Sequence, residues 1–121
     1  TSPSALFVKQ QITTDVQGVR VAKALGDFLI LDVMYESGGF GVAVTDEDVH
    51  ATRRQISEDD GMLLSPEGAA CVAAWRTAVA DGRVARTDRA VVFNTATGLR
   101  TPMPAELGRV DITRPVDFAR L

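Results

Sequence analysis

The stretch Phe40-Gly41-Val42-Ala43-Val44-Thr45-Asp46-Glu47-Asp48 joins an apolar run to the start of a helix, and it decides the expected fold class. The run from Phe40 to Val44 is typical of a short buried strand. Thr45 is placed to accept hydrogen bonds from free N–H groups of a helix, and the three acids complement the positive end of its dipole. The sequence therefore predicts a strand that leads directly into a helix.

The same order of elements recurs towards the C-terminus. Met62–Leu64 is a short apolar piece, and Ser65-Pro66-Glu67 opens a helix with a capping serine and a proline in the first turn. Ala90–Phe93 is a continuous apolar run, as expected of a strand that is covered on both faces. This alternation predicts an α/β fold, with a partial open parallel sheet and three main helices.

The first helix is expected over residues 24–36. Its apolar residues lie on most sides, which predicts that the helix is buried on most sides. Gly38 is placed as a left-handed C-terminal cap, because glycine has no Cβ to clash at positive φ. In the second helix, an inward stripe is expected at Val49, Thr52 and Ile56, and a solvated face at Arg53, Arg54 and Glu58.

The chain divides into three parts. Residues 1–13 are an N-terminal arm, residues 14–100 are the expected α/β core, and residues 101–121 are a proline-containing tail with no regular structure expected over most of it. Two clear strands are few for a self-sufficient sheet. Either the arm adds a strand at Leu6–Val8, or a second chain supplies one.

Composition narrows the classes of function. The chain has 121 residues, of which 45% are hydrophobic and 24% charged, and these values fit one soluble globular domain. The net charge is −3 and no basic patch is present, so nucleic acid is not expected as a partner. No apolar run reaches the roughly 20 residues of a membrane span, and no signal peptide is visible, so no membrane partner is expected.

The single cysteine and the single histidine offer little chemistry. Cys71 has no internal disulfide partner, which fits a cytoplasmic location, and its small apolar neighbours predict a packed, inert thiol. His50 is expected to be a solvated helix residue. No Cys/His cluster is present that would bind a metal.

The sharpest candidate site is Asn94-Thr95-Ala96-Thr97-Gly98. It follows a predicted strand, at the position where open α/β sheets bind ligands, and its small polar side chains suit a planar polar ligand. The alternative is an ordinary turn, since Asn, Thr and Gly are common turn residues. A second candidate is the helix start at Ser65 and Glu67, which either faces an anionic substrate or is simply a well-made cap.

Four segments, in order, resemble the C-terminal part of threonine synthase. They are Gly26–Leu31, Glu36–Gly39, Pro66–Ala70 and Val91–Leu99, and the resemblance extends over roughly residues 14–109. Threonine synthases are fold-type II enzymes that use pyridoxal 5′-phosphate (PLP). The resemblance implies that this chain carries one wall of a PLP site.

The resemblance also assigns roles to the candidate residues. Thr95 matches the threonine that hydrogen-bonds the pyridine nitrogen of PLP, within a cofactor-binding segment that includes Asn94, Thr97 and Gly98. Ala96 stands where many relatives have glycine, so its methyl group would crowd the ring. Ser65 and Glu67 lie near the active-site cleft in the family, so the resemblance implies that they are second-rank candidates, on the substrate side.

The lysine that anchors PLP as a Schiff base has no match in this chain. Its two lysines are Lys9 and Lys23, and neither resembles the catalytic lysine, which lies with the phosphate-binding loop in the N-terminal half of the family. The chain alone is therefore expected to bind no PLP and to be inactive, with PLP present in the complete enzyme. The expected partner is the missing N-terminal half or a second copy of the chain.

Two alternatives stay open. The chain is either a piece of a threonine synthase-like lyase that makes threonine from O-phosphohomoserine, or a non-catalytic α/β module that self-associates through exposed sheet edges. An unrelated small α/β ligand-binding protein is a third possibility, which the ordered match disfavours.

Overall fold

A computed structural model describes residues 13–21, 25–102, 113 and 115 of the chain. In this part of the chain a 3₁₀ turn at Gln17–Val19 precedes three helices: α1 (Asp27–Ser37), α2 (Asp46–Asp60) and α3 (Pro66–Ala80). A second 3₁₀ turn follows at Gly98–Arg100. The three helices confirm the helical part of the expectation.

The predicted α/β fold with a partial parallel sheet is wrong for the described residues, which contain no strand. Phe40–Val44 and Ala90–Phe93 are both irregular, and the one pairing in this region is an isolated antiparallel bridge between Leu64 and Thr97. An apolar run indicates a need for burial, but a strand also needs a neighbour to pair with its N–H and C=O groups. The candidate strand Leu6–Val8 lies outside the described residues.

Helix α2 begins as its sequence predicts. The Thr45 hydroxyl oxygen accepts a hydrogen bond from the Asp48 N–H at 3.1 Å, and the Asp48 carboxylate accepts one from the Thr45 N–H at 3.4 Å. This reciprocal pair is a capping box, which satisfies two backbone donors at the helix start. Gly61 ends the helix with a left-handed conformation at φ 65°.

Helices α2 and α3 pack against each other and form the core. Val49 of α2 and Ala69 of α3 are fully buried, together with Val16 and Leu64 from the segments that precede the two helices. The small side chains of α3 let its backbone approach α2 closely, and Ala69 and Ala73 are both buried. The α2–α3 pair, which we call the α2–α3 platform, is therefore the packed centre of the described residues.

Helix α1 contradicts the prediction that it is buried. None of its residues is buried, and Leu29 and Ile30 are each 58% exposed. Gly38 adopts the predicted left-handed cap at φ 66°. The helix is apolar on most sides, but no other described element covers it.

Two further side-chain predictions have different outcomes. Cys71 is exposed on α3, so the expected packed thiol is wrong. His50 is exposed as predicted, with its Nε2 atom 3.6 Å from the Asp15 carboxylate. Among the described residues, no helix has both the length and the apolarity to cross a membrane.

Candidate functional site

The segment Asn94–Gly98 lies against the start of α3. The Asn94 side-chain oxygen accepts hydrogen bonds from the Ser65 N–H at 3.2 Å and from the Ser65 hydroxyl at 3.1 Å. The Ser65 oxygen also accepts a hydrogen bond from the Gly68 N–H, so one buried hydroxyl both caps α3 and holds Asn94. A side chain at position 68 would collide with Asn94, which explains why glycine suits this position.

The other end of the segment is held by a close backbone approach. The Gly98 N–H donates to the Leu63 carbonyl at 3.1 Å, beside the bridge between Thr97 and Leu64. A Cβ atom on Gly98 would lie 2.5 Å from the Leu64 carbonyl oxygen and 2.6 Å from the Leu63 side chain. The Thr97 hydroxyl oxygen accepts a hydrogen bond from the Leu99 N–H at 3.3 Å and caps the 3₁₀ turn.

Arg53 reaches this end of the segment from α2. Its side chain is buried, although the sequence predicts it on the solvated face, and the residue is 4% exposed. The guanidinium donates to three backbone carbonyls, those of Leu64 at 3.0 Å, Gly98 at 3.0 Å and Pro102 at 2.9 Å. It also donates to the Thr101 hydroxyl at 2.9 Å.

The sequence did contain a signal for Arg53. The residue lies four positions after Val49 and three before Ile56, so helical spacing puts it on the inward stripe. Its charge argued for solvent, yet a guanidinium can be buried when its donors are used. The distant carbonyls that use them could not be anticipated from local sequence.

Thr95 lies between the two fixed ends of the segment. Its side chain is exposed, and in the described part of the chain its hydroxyl makes no hydrogen bond. Asn94, Thr97 and Gly98 are engaged in contacts that shape the segment. Within the described residues, Thr95 is thus the predicted cofactor residue whose hydroxyl takes no part in shaping the segment, while cofactor binding by all four residues stays a prediction.

Glu67 has a contact that the sequence did not reveal. Its carboxylate accepts a hydrogen bond from the Gly18 N–H at 2.9 Å, and it leaves no space for a side chain at position 18. Glu67 therefore ties the turn at Gln17–Val19 to the start of α3. The predicted substrate-side role of Ser65 and Glu67 stays a prediction, because both are engaged within the chain.

Hydrogen bonds at the start of α2 shift the pKa of an aspartate. The Thr14 hydroxyl donates to the Asp46 carboxylate at 2.6 Å, and the Asp15 N–H donates to it at 2.9 Å. These two hydrogen bonds, the Thr14 one first, lower the pKa of Asp46 below its ordinary value, because they favour the charged form. In the region that the structure describes, no three His, Cys, Asp or Glu side chains are grouped as a metal site would require.

The chain is similar to threonine synthases. It is 28% identical over 89 residues to that of Methanocaldococcus jannaschii, 28% over 98 residues to that of Methanosarcina acetivorans, and 24% over 117 residues to that of Halalkalibacterium halodurans. These alignments cover 74%, 81% and 93% of this chain. The resemblance to threonine synthase inferred from the sequence is confirmed.

The alignments cover a minor share of each relative. The chain spans 22%, 24% and 33% of the lengths of these three threonine synthases. No protein-family model matches the chain. The similarity therefore fits a fragment of a threonine synthase, and it concerns a region of the enzyme rather than the whole.

Proposed function

We propose that this chain is one portion of a threonine synthase-like lyase, which converts O-phosphohomoserine and water to threonine and phosphate with PLP as cofactor. The observation that carries the proposal is the exposed hydroxyl of Thr95, which makes no hydrogen bond within the described residues and lies on a segment that is fixed at both ends. This is the residue that the resemblance matches to the PLP ring nitrogen. Asn94 and Thr97 already use their side-chain oxygens as hydrogen-bond acceptors within the chain.

The Thr95 hydroxyl has the chemistry that such a role needs. A hydroxyl can donate a hydrogen bond to a pyridine nitrogen, and unlike a carboxylate it does not force that nitrogen to be protonated. PLP, when bound, supplies an electron sink for the reaction. Thr95 would orient the ring and moderate its electron withdrawal, while the lysine that anchors the aldehyde comes from outside this chain.

The exposed apolar surface supports a partner for the chain. Leu29, Ile30 and the other apolar residues of α1 except the half-buried Met34 lie open to solvent, and Phe93 is 79% exposed just before the candidate site. Soluble proteins rarely expose apolar patches of this kind unless a partner covers them. We propose that the remaining portion of the threonine synthase-like enzyme covers this surface, and that the enzyme acts in the cytoplasm.

Self-association of a non-catalytic module is the second candidate. The sheet edges first considered for it find no support, because the described residues form no sheet. The exposed face of α1 favours association through a helix instead. Size-exclusion chromatography with light scattering distinguishes the two, since a stable dimer of the isolated chain would favour this candidate.

The isolated chain is proposed to be inactive. Lys9 and Lys23, its two lysines, lie outside the described residues, and neither resembles the catalytic lysine of the family. Incubation with PLP, reduction with borohydride and mass measurement should give no stable adduct, and no threonine should form from O-phosphohomoserine. An adduct on either lysine together with threonine formation would refute this proposal.

A chimera tests the proposed function directly. The chain would replace the matching region of the Methanocaldococcus jannaschii threonine synthase, and threonine formation would be measured. Thr95→Val should lower kcat/KM roughly tenfold, because it removes one hydrogen bond at the cofactor. Thr87→Val is the matched control, since Thr87 is also exposed but belongs to the turn at residues 86–87, outside the candidate segment. Equal effects of the two substitutions would contradict the assignment of Thr95.

A further inference from the structure

We infer that Arg53 is the positioning residue for Thr95: its guanidinium fixes the rear end of the segment that presents the Thr95 hydroxyl. The inference rests on the proposed function, since Thr95 matters only where it meets a cofactor. Arg53 itself is buried beneath the segment. It therefore acts through the backbone at Gly98 and not by contact with a ligand.

The guanidinium joins three parts of the chain that are far apart in sequence. It extends from α2, meets the Leu64 carbonyl just before α3, and meets the Gly98 and Pro102 carbonyls after the candidate site. A planar group with several fixed donors can hold these acceptors at once. A lysine ammonium is a compact point charge on a flexible stem and cannot span the same set.

The segment is held by hydrogen bonds at each end. Asn94 is held at the front by Ser65, while Gly98 is held at the rear by Arg53 and by the Leu63 carbonyl. In the described part of the chain, Thr95 has no side-chain hydrogen bond of its own. Its position is therefore set by these two ends, and loss of the rear anchor should loosen Thr95 while α2 and α3 stay folded.

Amide hydrogen exchange and NMR relaxation on the full chain test this inference. In Arg53→Lys, exchange of the Gly98 amide should accelerate at least about tenfold relative to the Ala69 amide, which is bonded to the Ser65 carbonyl inside α3. The backbone order parameter of Thr95 should fall from about 0.85 to below about 0.6. Arg54→Lys, at the exposed neighbouring arginine, is the matched control and should change neither quantity.

Two outcomes of this experiment would overturn the inference. Equal acceleration of the Gly98 and Ala69 amides would mean that Arg53 supports only the overall fold. Unchanged exchange at Gly98 and an unchanged Thr95 order parameter would mean that Arg53 does not fix the segment.

A milder variant covers the case in which Arg53→Lys does not fold. Thr101→Val removes one acceptor of the guanidinium and the hydrogen bond from the Thr101 hydroxyl to the Gly98 carbonyl, at 2.9 Å each. Relative exchange at Gly98 should then rise about threefold or more, and no rise would overturn the inference.

A double-mutant cycle in the chimera separates positioning from general stability. Arg53→Lys should lower kcat/KM about tenfold in the presence of Thr95, but less than about threefold in the Thr95→Val background, because coupled residues are not additive. Additive effects would overturn the claim that Arg53 acts through Thr95. Since exchange and relaxation involve neither PLP nor substrate, a chimera without activity would contradict the proposed function and leave the Arg53 result standing.

Discussion

The burial of helices α1 and α2 is the reverse of what their amino-acid compositions suggest. α1 is the more apolar helix, yet none of its residues is buried. α2 is rich in charged residues, yet it buries Val49, Thr52 and the charged side chain of Arg53. The difference shows that burial in this chain follows from which element lies alongside a helix, and not from the composition of the helix alone.

The α2–α3 platform and helix α1 also differ in how far apart in sequence their hydrogen-bonded residues lie. Around α2 and α3, Arg53, Ser65 and Asn94 form hydrogen bonds that join residues far apart in sequence. Within the described residues, the hydrogen bonds of α1 are local, as in the bond from the Ser37 hydroxyl to the Val33 carbonyl at 2.7 Å. The α2–α3 platform is therefore held together by contacts within the chain, whereas α1 is a helix whose covering is proposed to come from outside the chain.

Added side-chain volume should give the largest difference in unfolding free energy between the α2–α3 platform and the neighbourhood of α1. Gly98→Ala should lower the free energy of unfolding by about 2–3 kcal/mol, because its Cβ would press on the Leu63 and Leu64 backbone. Gly41→Ala, next to α1, should change it by less than about 0.5 kcal/mol, since the nearest atom to the new Cβ is 4.0 Å away. Urea unfolding measures both, and equal losses would break the comparison.

Removal of apolar side-chain volume should give the next largest difference in unfolding free energy between the α2–α3 platform and α1. Val49→Ala should cost about 2 kcal/mol, because Val49 is 1% exposed and its methyl groups fill the core. Leu29→Ala on α1 should cost less than about 0.5 kcal/mol in the isolated chain, since that side chain is already largely in water. A large cost for Leu29→Ala, measured in the same way, would show that α1 is covered within the chain.

Ser65 at the start of α3 and Ser37 at the end of α1 allow a third comparison of unfolding free energies. Ser65→Ala should cost about 1–2 kcal/mol, because the buried hydroxyl caps α3 and holds Asn94. Ser37→Ala should cost less than about 0.5 kcal/mol, because its hydroxyl is exposed at the end of α1. Thermal unfolding of the two variants measures the difference, and a cost for Ser37→Ala as large as that for Ser65→Ala would count against it.

The smallest effect is expected at the start of α2, as a dependence on pH. The lowered pKa of Asp46 means that its stabilising contribution is fully present above the ordinary pKa of an aspartate. The contribution is lost as the pH falls through the lowered value, below about pH 4. In an NMR titration, Thr14→Val should raise the midpoint of the Asp46 carboxyl, because it removes the strongest hydrogen bond; an unchanged midpoint would contradict the stated cause.

Helix caps, which depend on residues close to each other in sequence, were predicted correctly. The caps at Thr45 and Ser65 and the left-handed Gly38 depend on side chains or glycines within a few residues of a helix end. Their chemistry is local, so the sequence alone places them. The order of the three helices followed from the same signals.

Strand pairing and the burial of Arg53, which depend on residues far apart in sequence, were not predicted correctly. The apolar run Ala90–Phe93 suggested a strand, but strand formation depends on a neighbour that the described residues do not supply. The burial of Arg53 depends on carbonyls at Leu64, Gly98 and Pro102, which local patterns cannot bring together. The candidate segment was predicted from its residue types and from its place after a strand that the described residues do not form, and its role as a site stays a prediction. The contacts of Asn94 and Gly98 that hold the segment appeared only in the structure.

The most direct test of the proposed covering of α1 is Ile30→Asp, measured both in the isolated chain and in the chimera with the Methanocaldococcus jannaschii enzyme. Ile30 is 58% exposed in the chain, so the melting temperature of the isolated chain should change by less than about 2 °C. In the chimera the carboxylate would be buried without a partner, and the melting temperature should fall by at least about 5 °C with loss of threonine formation. An equally small change in both proteins would contradict the claim that the rest of the enzyme covers α1.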